Sequence, residues 1–161
     1  MGKGIELALK AWEKMPDNAV LLIVGTGSLL EKFERDVIRK NIIFAGFRKN
    51  IQDYLAAADV FLFPSLGEGL SNSLIEAASC GLPVLANDMP SNSEIITSGR
   101  DGVLIDMRDP QKIISEIEKL RDDQELRYIF SREARNTAVK KFSIQTVAEL
   151  YVDFYSRMLA A

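Results

Sequence analysis

DVFLFPSLGEGLSNSLIEAASCGLPVLAN, Asp59 to Asn87, carries the reading of the fold. It opens with an apolar run, passes through a loop containing Gly67 and Gly69, continues in SNSLIEAAS with apolar residues at three-to-four spacing, and closes with a second apolar run. Short apolar runs bounded by glycine and proline read as buried strands, and the periodic segment between them reads as a helix. Two strands joined by a helix lie parallel, because the crossover returns the chain to the same edge. The stretch also sets two carboxylates, Glu68 and Glu76, on either side of the expected helix start.

Working outward, the same alternation recurs. AVLLIV (19–24), NIIFAG (41–46) and GVLID (102–106) join DVFLFP (59–64) and LPVLAN (82–87) as five expected strands. GIELALKAWEKM, SLLEKFERDVIRK and IQDYLAAA separate them with helical periodicity. Ser28 with Glu31, and Ser91 with Glu94, have the spacing of capping boxes. The fold class is α/β, a Rossmann-like doubly wound parallel sheet flanked by helices. After Asp106 only helical patterns follow, a C-terminal extension that ends in SIQTVAELYVDFYSRMLAA. Val147, Leu150, Tyr151, Phe154 and Met158 form one apolar stripe there. Its first half is expected to close the domain's own core; the alternative is that its last turns cross to another domain. At the other end GKGIELALKAW opens in a helix without a preceding strand, so a piece of a longer chain is expected.

Composition narrows the chemistry. The 161 residues are one domain by length, enough to bury about 70% of the unfolded surface. Twenty Lys and Arg against 23 Asp and Glu give a net charge of -3 with both signs scattered, so no basic track for nucleic acid is present. The single Cys80 excludes an internal disulfide and reads as a small buried residue. With no signal-peptide pattern and no apolar run long enough for a bilayer, the expected location is cytoplasmic. The sequence contains no histidine, which removes imidazole bases, Ser-His-Asp triads and histidine metal ligands.

In open parallel sheets ligands bind beyond the carboxyl ends of the strands, where loops run into helix N-termini. Gly25-Thr26-Gly27-Ser28 and the loop from Pro64 to Leu70 both fit that address. A helix beginning near Leu70 or Ser71 would turn its free N–H groups and dipole toward the second loop, an arrangement that suits a phosphate. Glu76 lies five residues past Ser71, about 7.5 Å along the axis, on the order of the span from a diphosphate to its ribose. Spacing alone equally allows Ser71 as a plain N-cap, Leu70, Leu74, Ala77 and Ala78 as a core face, and Glu76 as a solvated side chain. A glycosidase pair would need its carboxylates roughly 5 to 9.5 Å apart across one bond, which this spacing does not promise.

The blocks in order resemble the family 4 glycosyltransferases of GT-B fold, specifically their C-terminal nucleotide-sugar-binding domain. Lys3-Gly4 before an amphipathic helix looks like that family's K-G helix, and LLIVGTGSLLEKFE like its strand-G-x-G-helix. NIIFAGF and NIQDYLAAADVFLFPS are similar to the following strand and the approach to the site; EGLSNSLIEAASCGLPVLA is similar to its E-x7-E block and next strand, and SEIITSGRDGVLID to its closing segment. The resemblance covers nearly the whole chain.

It implies that 1–161 is a single donor-binding domain, the C-terminal half of a two-domain enzyme whose first strand and N-terminal acceptor domain are absent here. Glu76 would bind the ribose of a UDP- or GDP-sugar, and Glu68 would contact or position the donor sugar. The amides of Gly69, Leu70 and Ser71 would hold the diphosphate, Lys3 would neutralise it as the sugar–phosphate bond breaks, and backbone around Phe47 and Arg48 would meet the base. Retention of configuration, no metal and no cofactor are implied. So are a glycan or lipid-linked acceptor reached through the absent domain, a role in envelope or capsule polysaccharide synthesis, and a peripheral place at the inner face of the membrane for the longer enzyme. The isolated chain is expected to be inactive. A nucleotide-sugar epimerase of GT-B architecture and a non-catalytic nucleotide-sugar-binding module are the competing readings. The family's glycines after the fourth strand are replaced by Ser91-Asn92-Ser93.

Overall fold

A computed structural model of the chain describes residues 3–160; Met1, Gly2 and Ala161, which belong to the expected first and last segments, lie outside them. All five expected strands form, each one to three residues shorter than its apolar run: β1 (Leu21–Val24), β2 (Ile42–Gly46), β3 (Phe61–Phe63), β4 (Val84–Asn87) and β5 (Gly102–Ile105). Between and after them run α1 (Ile5–Trp12), α2 (Leu30–Asp36), α3 (Ile51–Ala57), α4 (Asn72–Ser79), α5 (Pro90–Ser93), α6 (Pro110–Asp122), α7 (Gln124–Phe142) and α8 (Ile144–Leu159).

Every strand pair is parallel, as continuous apolar strands joined by helices require. The strands do not form one hydrogen-bonded sheet, however. β1 pairs with β2, while β3, β4 and β5 form a separate group with β4 in the middle. Among the described residues β1 and β3 each therefore have a neighbour on one side only. One core joins the two groups: Leu21 and Ile42 pack with Leu85, with Ala8, Leu9 and Trp12 of α1, and with Ile113 and Ile117 of α6.

Beneath the second group, Asp101 is wholly buried; its carboxylate accepts from the Thr97 N–H at 2.6 Å and from the Thr137 hydroxyl at 2.8 Å, tying the turn before β5 to α7. Gly102 follows because the strand runs too close to β4 for a side chain: a Cβ there would stand 2.6 Å from the Val84 carbonyl oxygen. In the first group, the Arg39 guanidinium donates to the carbonyls of Trp12, Glu13 and Met15 at 2.5, 2.6 and 2.7 Å, filling acceptors left at the end of α1.

Several expectations need correction. α2 starts at Leu30 with Leu29 as N-cap and no side-chain cap, so the Ser28–Glu31 box does not form, and the helix stops at Asp36. Ser91–Glu94 is not a box either: Pro90 opens a single turn, and buried Asn92 instead donates to the Asn87 carbonyl at 2.8 Å. Cys80 is exposed, because it follows the last residue of α4 on the side away from Leu74, Ala77 and Ala78. Leu70, placed on a core face by periodicity, precedes the helix and is 55% exposed. α8 buries none of its residues, so its first half does not close the domain's core.

Candidate functional site

The site begins with a glycine. Gly4 caps α1 in a left-handed conformation, φ 70°, and a Cβ on it would fall 2.1 Å from the carbonyl oxygen of Pro64, just after β3. Only glycine allows that approach without displacing backbone. The contact brings Lys3 to the loop after β3, where its Nζ forms an ion pair and hydrogen bond with Glu68 Oε1. Ser65, 1% exposed, also donates from its hydroxyl to Glu68 Oε1, at 3.3 Å. The Glu68 carboxylate is thus held from two sides at 20% exposure, whereas Lys3 keeps 68% of its side chain open to solvent.

The loop runs from Glu68 through Gly69 and Leu70, both exposed, to Ser71, the N-cap of α4. Ser71 is extended and 5% exposed, and its hydroxyl makes no cap bond, so no side chain covers the first N–H groups of the helix. Nothing lies within 4 Å of a Cβ built on Gly69, so the space over the turn is open. α4 buries Leu74, Ala77 and Ala78 and leaves Asn72, Ser73 and Glu76 exposed. Positions three and four apart share a helix face, which sets Glu76 one turn beyond the free helix start on the open side.

Phe47 and Arg48 follow β2, at the carboxyl end of the β1–β2 pair, where the Gly25 N–H donates to the Gly46 carbonyl at 2.8 Å. Arg48 donates from Nε to the Tyr54 hydroxyl at 2.8 Å and from Nη1 to the Phe47 carbonyl at 3.0 Å. The Phe47 ring is 63% exposed. Lys3, Glu68, Gly69, Leu70 and Ser71 therefore make one continuous corner with Glu76 on its helix, while Phe47 and Arg48 stand on the neighbouring strand pair.

Sequence reasoning singled out Lys3 and Glu68 separately and missed that they pair. It also missed Ser65, whose signal was its place two residues after the end of a buried strand. Among the described residues no cluster of three or more His, Cys, Asp or Glu could hold a metal ion. No helix there is long and apolar enough to cross a membrane.

Comparisons with known proteins agree on one family. A family model described as Glycosyl transferases group 1 matches residues 1–123. The chain is 33% identical over 148 residues to the Escherichia coli UDP-Gal:alpha-D-GlcNAc-diphosphoundecaprenol alpha-1,3-galactosyltransferase, covering 86% of this chain and 38% of that enzyme. It is 28% identical over 162 residues to the lipopolysaccharide core biosynthesis glycosyltransferase LpsD of Rhizobium meliloti, covering 98% of this chain and 47% of that protein. The chain thus spans less than half the length of these curated relatives. Among solved structures, Anabaena HepE in complex with UDP-glucose superposes with a TM-score of 0.85 at 23% identity, over 96% of this chain and 45% of that one, a likeness of fold. A TarM mutant from S. aureus, solved with UDP among other ligands, gives a TM-score of 0.82 at 27% identity, over 94% of this chain and 32% of that one.

Proposed function

The chain belongs to the group 1 glycosyl transferases, which have the GT-B fold, and from that membership we propose that it is the donor-binding domain of a retaining, metal-independent hexosyltransferase. The reading is carried by one observation: an uncapped helix start, an open glycine turn and a solvent-facing lysine converge at the carboxyl end of a parallel strand. That arrangement favours a diphosphate through N–H groups, the helix dipole and a fixed positive charge. Glu76, one turn on, accepts hydrogen bonds from the vicinal ribose hydroxyls. The UDP-Gal in the name of the E. coli relative and the UDP bound to TarM make a UDP-sugar the first donor to test, with a GDP-sugar second.

In this reading the sugar–phosphate bond breaks with its electron pair going to the diphosphate. Lys3 and the amides of Gly69, Leu70 and Ser71 stabilise the charge that develops there, the electrostatic help that most lowers such a barrier. Glu68 faces the donor sugar, and backbone around Phe47 and Arg48 faces the base; the Phe47 carbonyl accepts one hydrogen bond from Arg48 Nη1 and keeps a second lone pair for the ligand. The acceptor is a glycan or lipid-linked glycan, as the diphosphoundecaprenol in the E. coli relative's name suggests, and the role is in envelope or capsule polysaccharide synthesis at the inner face of the membrane.

The longer protein completes the domain. Lys3 stands beside the end of β3, and among the described residues neither β3 nor β1 has a strand on its second edge. A preceding strand pairs into these edges, and the acceptor domain lies beyond it. Two measurements test the whole reading. Calorimetric titration with UDP and UDP-sugars is expected to show binding that Glu76→Ala weakens about ten- to a hundredfold, the range for losing hydrogen bonds to a charged group; an unchanged titration contradicts the placement of Glu76 at the ribose. Sugar transfer by the purified 161-residue chain would contradict the two-domain requirement.

A further inference from the structure

Beyond the carboxyl ends of β4 and β5 lies a groove of about 610 Å³ that shares no residue with the Lys3–Glu68 corner or with Glu76. Asn87, the last residue of β4, forms part of its lining together with Asp88, Asp106, Arg108, Lys112 and Glu116. Asn87 is 5% exposed, and its Oδ1 accepts from the Met107 N–H at 3.1 Å, which fixes the orientation of the amide. Its Nδ2 donates to no protein acceptor among the described residues and keeps a small solvent-accessible surface, so it is open to the groove. Glu116 Oε2 accepts no hydrogen bond among them either and meets only Lys119 Nζ, at 3.7 Å. A buried carboxylate oxygen without a hydrogen-bond donor is costly unless a ligand or water supplies one, and the accessible Asn87 amide offers the same ligand a donor.

The charges say what such a ligand would be. Three carboxylates and two cations line the groove, so an anion entering it meets more repulsion than attraction. The start of α6 offers an anion nothing further, because Asp109 Oδ1 already accepts from the N–H groups of Gln111 and Lys112 at 2.9 and 3.4 Å. The carboxylates do not form a metal-binding cluster. A hydroxyl group, by contrast, both donates and accepts, and suits alternating carboxylate, guanidinium, ammonium and amide partners. We propose that this groove is a binding site for an uncharged, hydroxyl-rich carbohydrate segment, separate from the nucleotide-sugar corner. Asp88, Asp106 and Glu116 accept from the sugar hydroxyls; Arg108, Lys112 and Asn87 Nδ2 donate to them. The site places a glycan on this chain itself and does not depend on the donor reading.

Amide-detected NMR of the 15N-labelled chain tests this, since the Asn87 side chain gives its own resonances. Maltotriose, cellotriose and chitotriose are titrated as probes, with inorganic phosphate, calcium chloride and UDP in parallel. The expected result is saturable shifting of the Asn87 side-chain amide and of the Asp88 and Arg108 backbone amides by at least one trisaccharide, with affinity reduced about fivefold or more in Asp88→Ala and in Lys112→Ala. Both variants change exposed side chains, so their remaining spectra should match the parent. Absence of saturable shifts with all three sugars well above the millimolar range overturns the proposal. So does saturation of the same resonances by phosphate or calcium in place of sugar. The UDP arm reports through Glu76, so the two readings fail independently.

Discussion

β4 and β1 are both four-residue apolar strands, VLAN and LLIV, yet the molecule treats them differently. β4 has a hydrogen-bonded neighbour on each side and every residue buried; β1 has one neighbour, and of its four residues only Leu21 is buried. The side chains of β1 are the more apolar, so composition does not explain the contrast. Position does. β4 lies between β3 and β5, packed on α4, which α7 covers in turn, with Asp101 bracing the turn before β5, whereas among the described residues β1 has an unpaired edge. The stability of this fold is therefore uneven, concentrated around β4.

The largest test of that contrast is truncation on each strand. Leu85→Ala on β4, at a fully buried site, is expected to cost about 2–5 kcal/mol in urea unfolding. Leu22→Ala on β1, 40% exposed, should cost under about 1 kcal/mol, and equal losses would break the comparison. Next comes the brace. Asp101→Ala leaves the Thr97 N–H and the Thr137 hydroxyl unpaired, an expected loss of about 2–4 kcal/mol. If Asp101→Asn recovers half or more of it, hydrogen bonding rather than charge is responsible. Hydrogen exchange should then show β4 amides protected close to the global limit and β1 amides opening well below it. If a preceding strand pairs into the β1 and β3 edges as proposed, extending the chain upstream by such a strand is expected to raise the protection of both while leaving β4 unchanged. The smallest effect concerns α8: deleting 144–160 removes no buried residue and should move the Tm by no more than about 4 °C.

What the sequence showed and hid follows the same division. Apolar runs and helical spacing were enough to locate the strands, because those signals are local. Which strands are neighbours is not local, and the separation of β1–β2 from β3–β4–β5 had no signature in either run. The Ser28–Glu31 spacing was a capping box in residue type but not in backbone, since the helix begins one residue later than such a box requires, at Leu30 with Leu29 as its N-cap. Periodicity put Leu70 on the core face of a helix that it precedes, and the Ala/Gly neighbours of Cys80 suggested burial for a thiol that follows the helix on its open side. At the site, the residue types were readable and the contacts were not. Gly4 needs its left-handed turn because of Pro64, sixty residues away, and nothing around Lys3 in sequence announces Glu68. Asp101-Gly102 likewise matched a family pattern whose reason, a staple to Thr137 and a close approach to Val84, appears only in three dimensions.

The Lys3–Glu68 pair has a further consequence for recognition. Glu68 is a tethered competitor that an incoming anion must displace from the lysine. An incoming group gains only the difference between its own hold on Lys3 and that of the carboxylate it displaces. A single weak negative charge gains little, while the diphosphate proposed above, which would also take the free amides of α4, would gain more. The pair thus works as a threshold, and removing it by Glu68→Gln should tighten the binding of UDP while blunting its preference over simple monovalent anions.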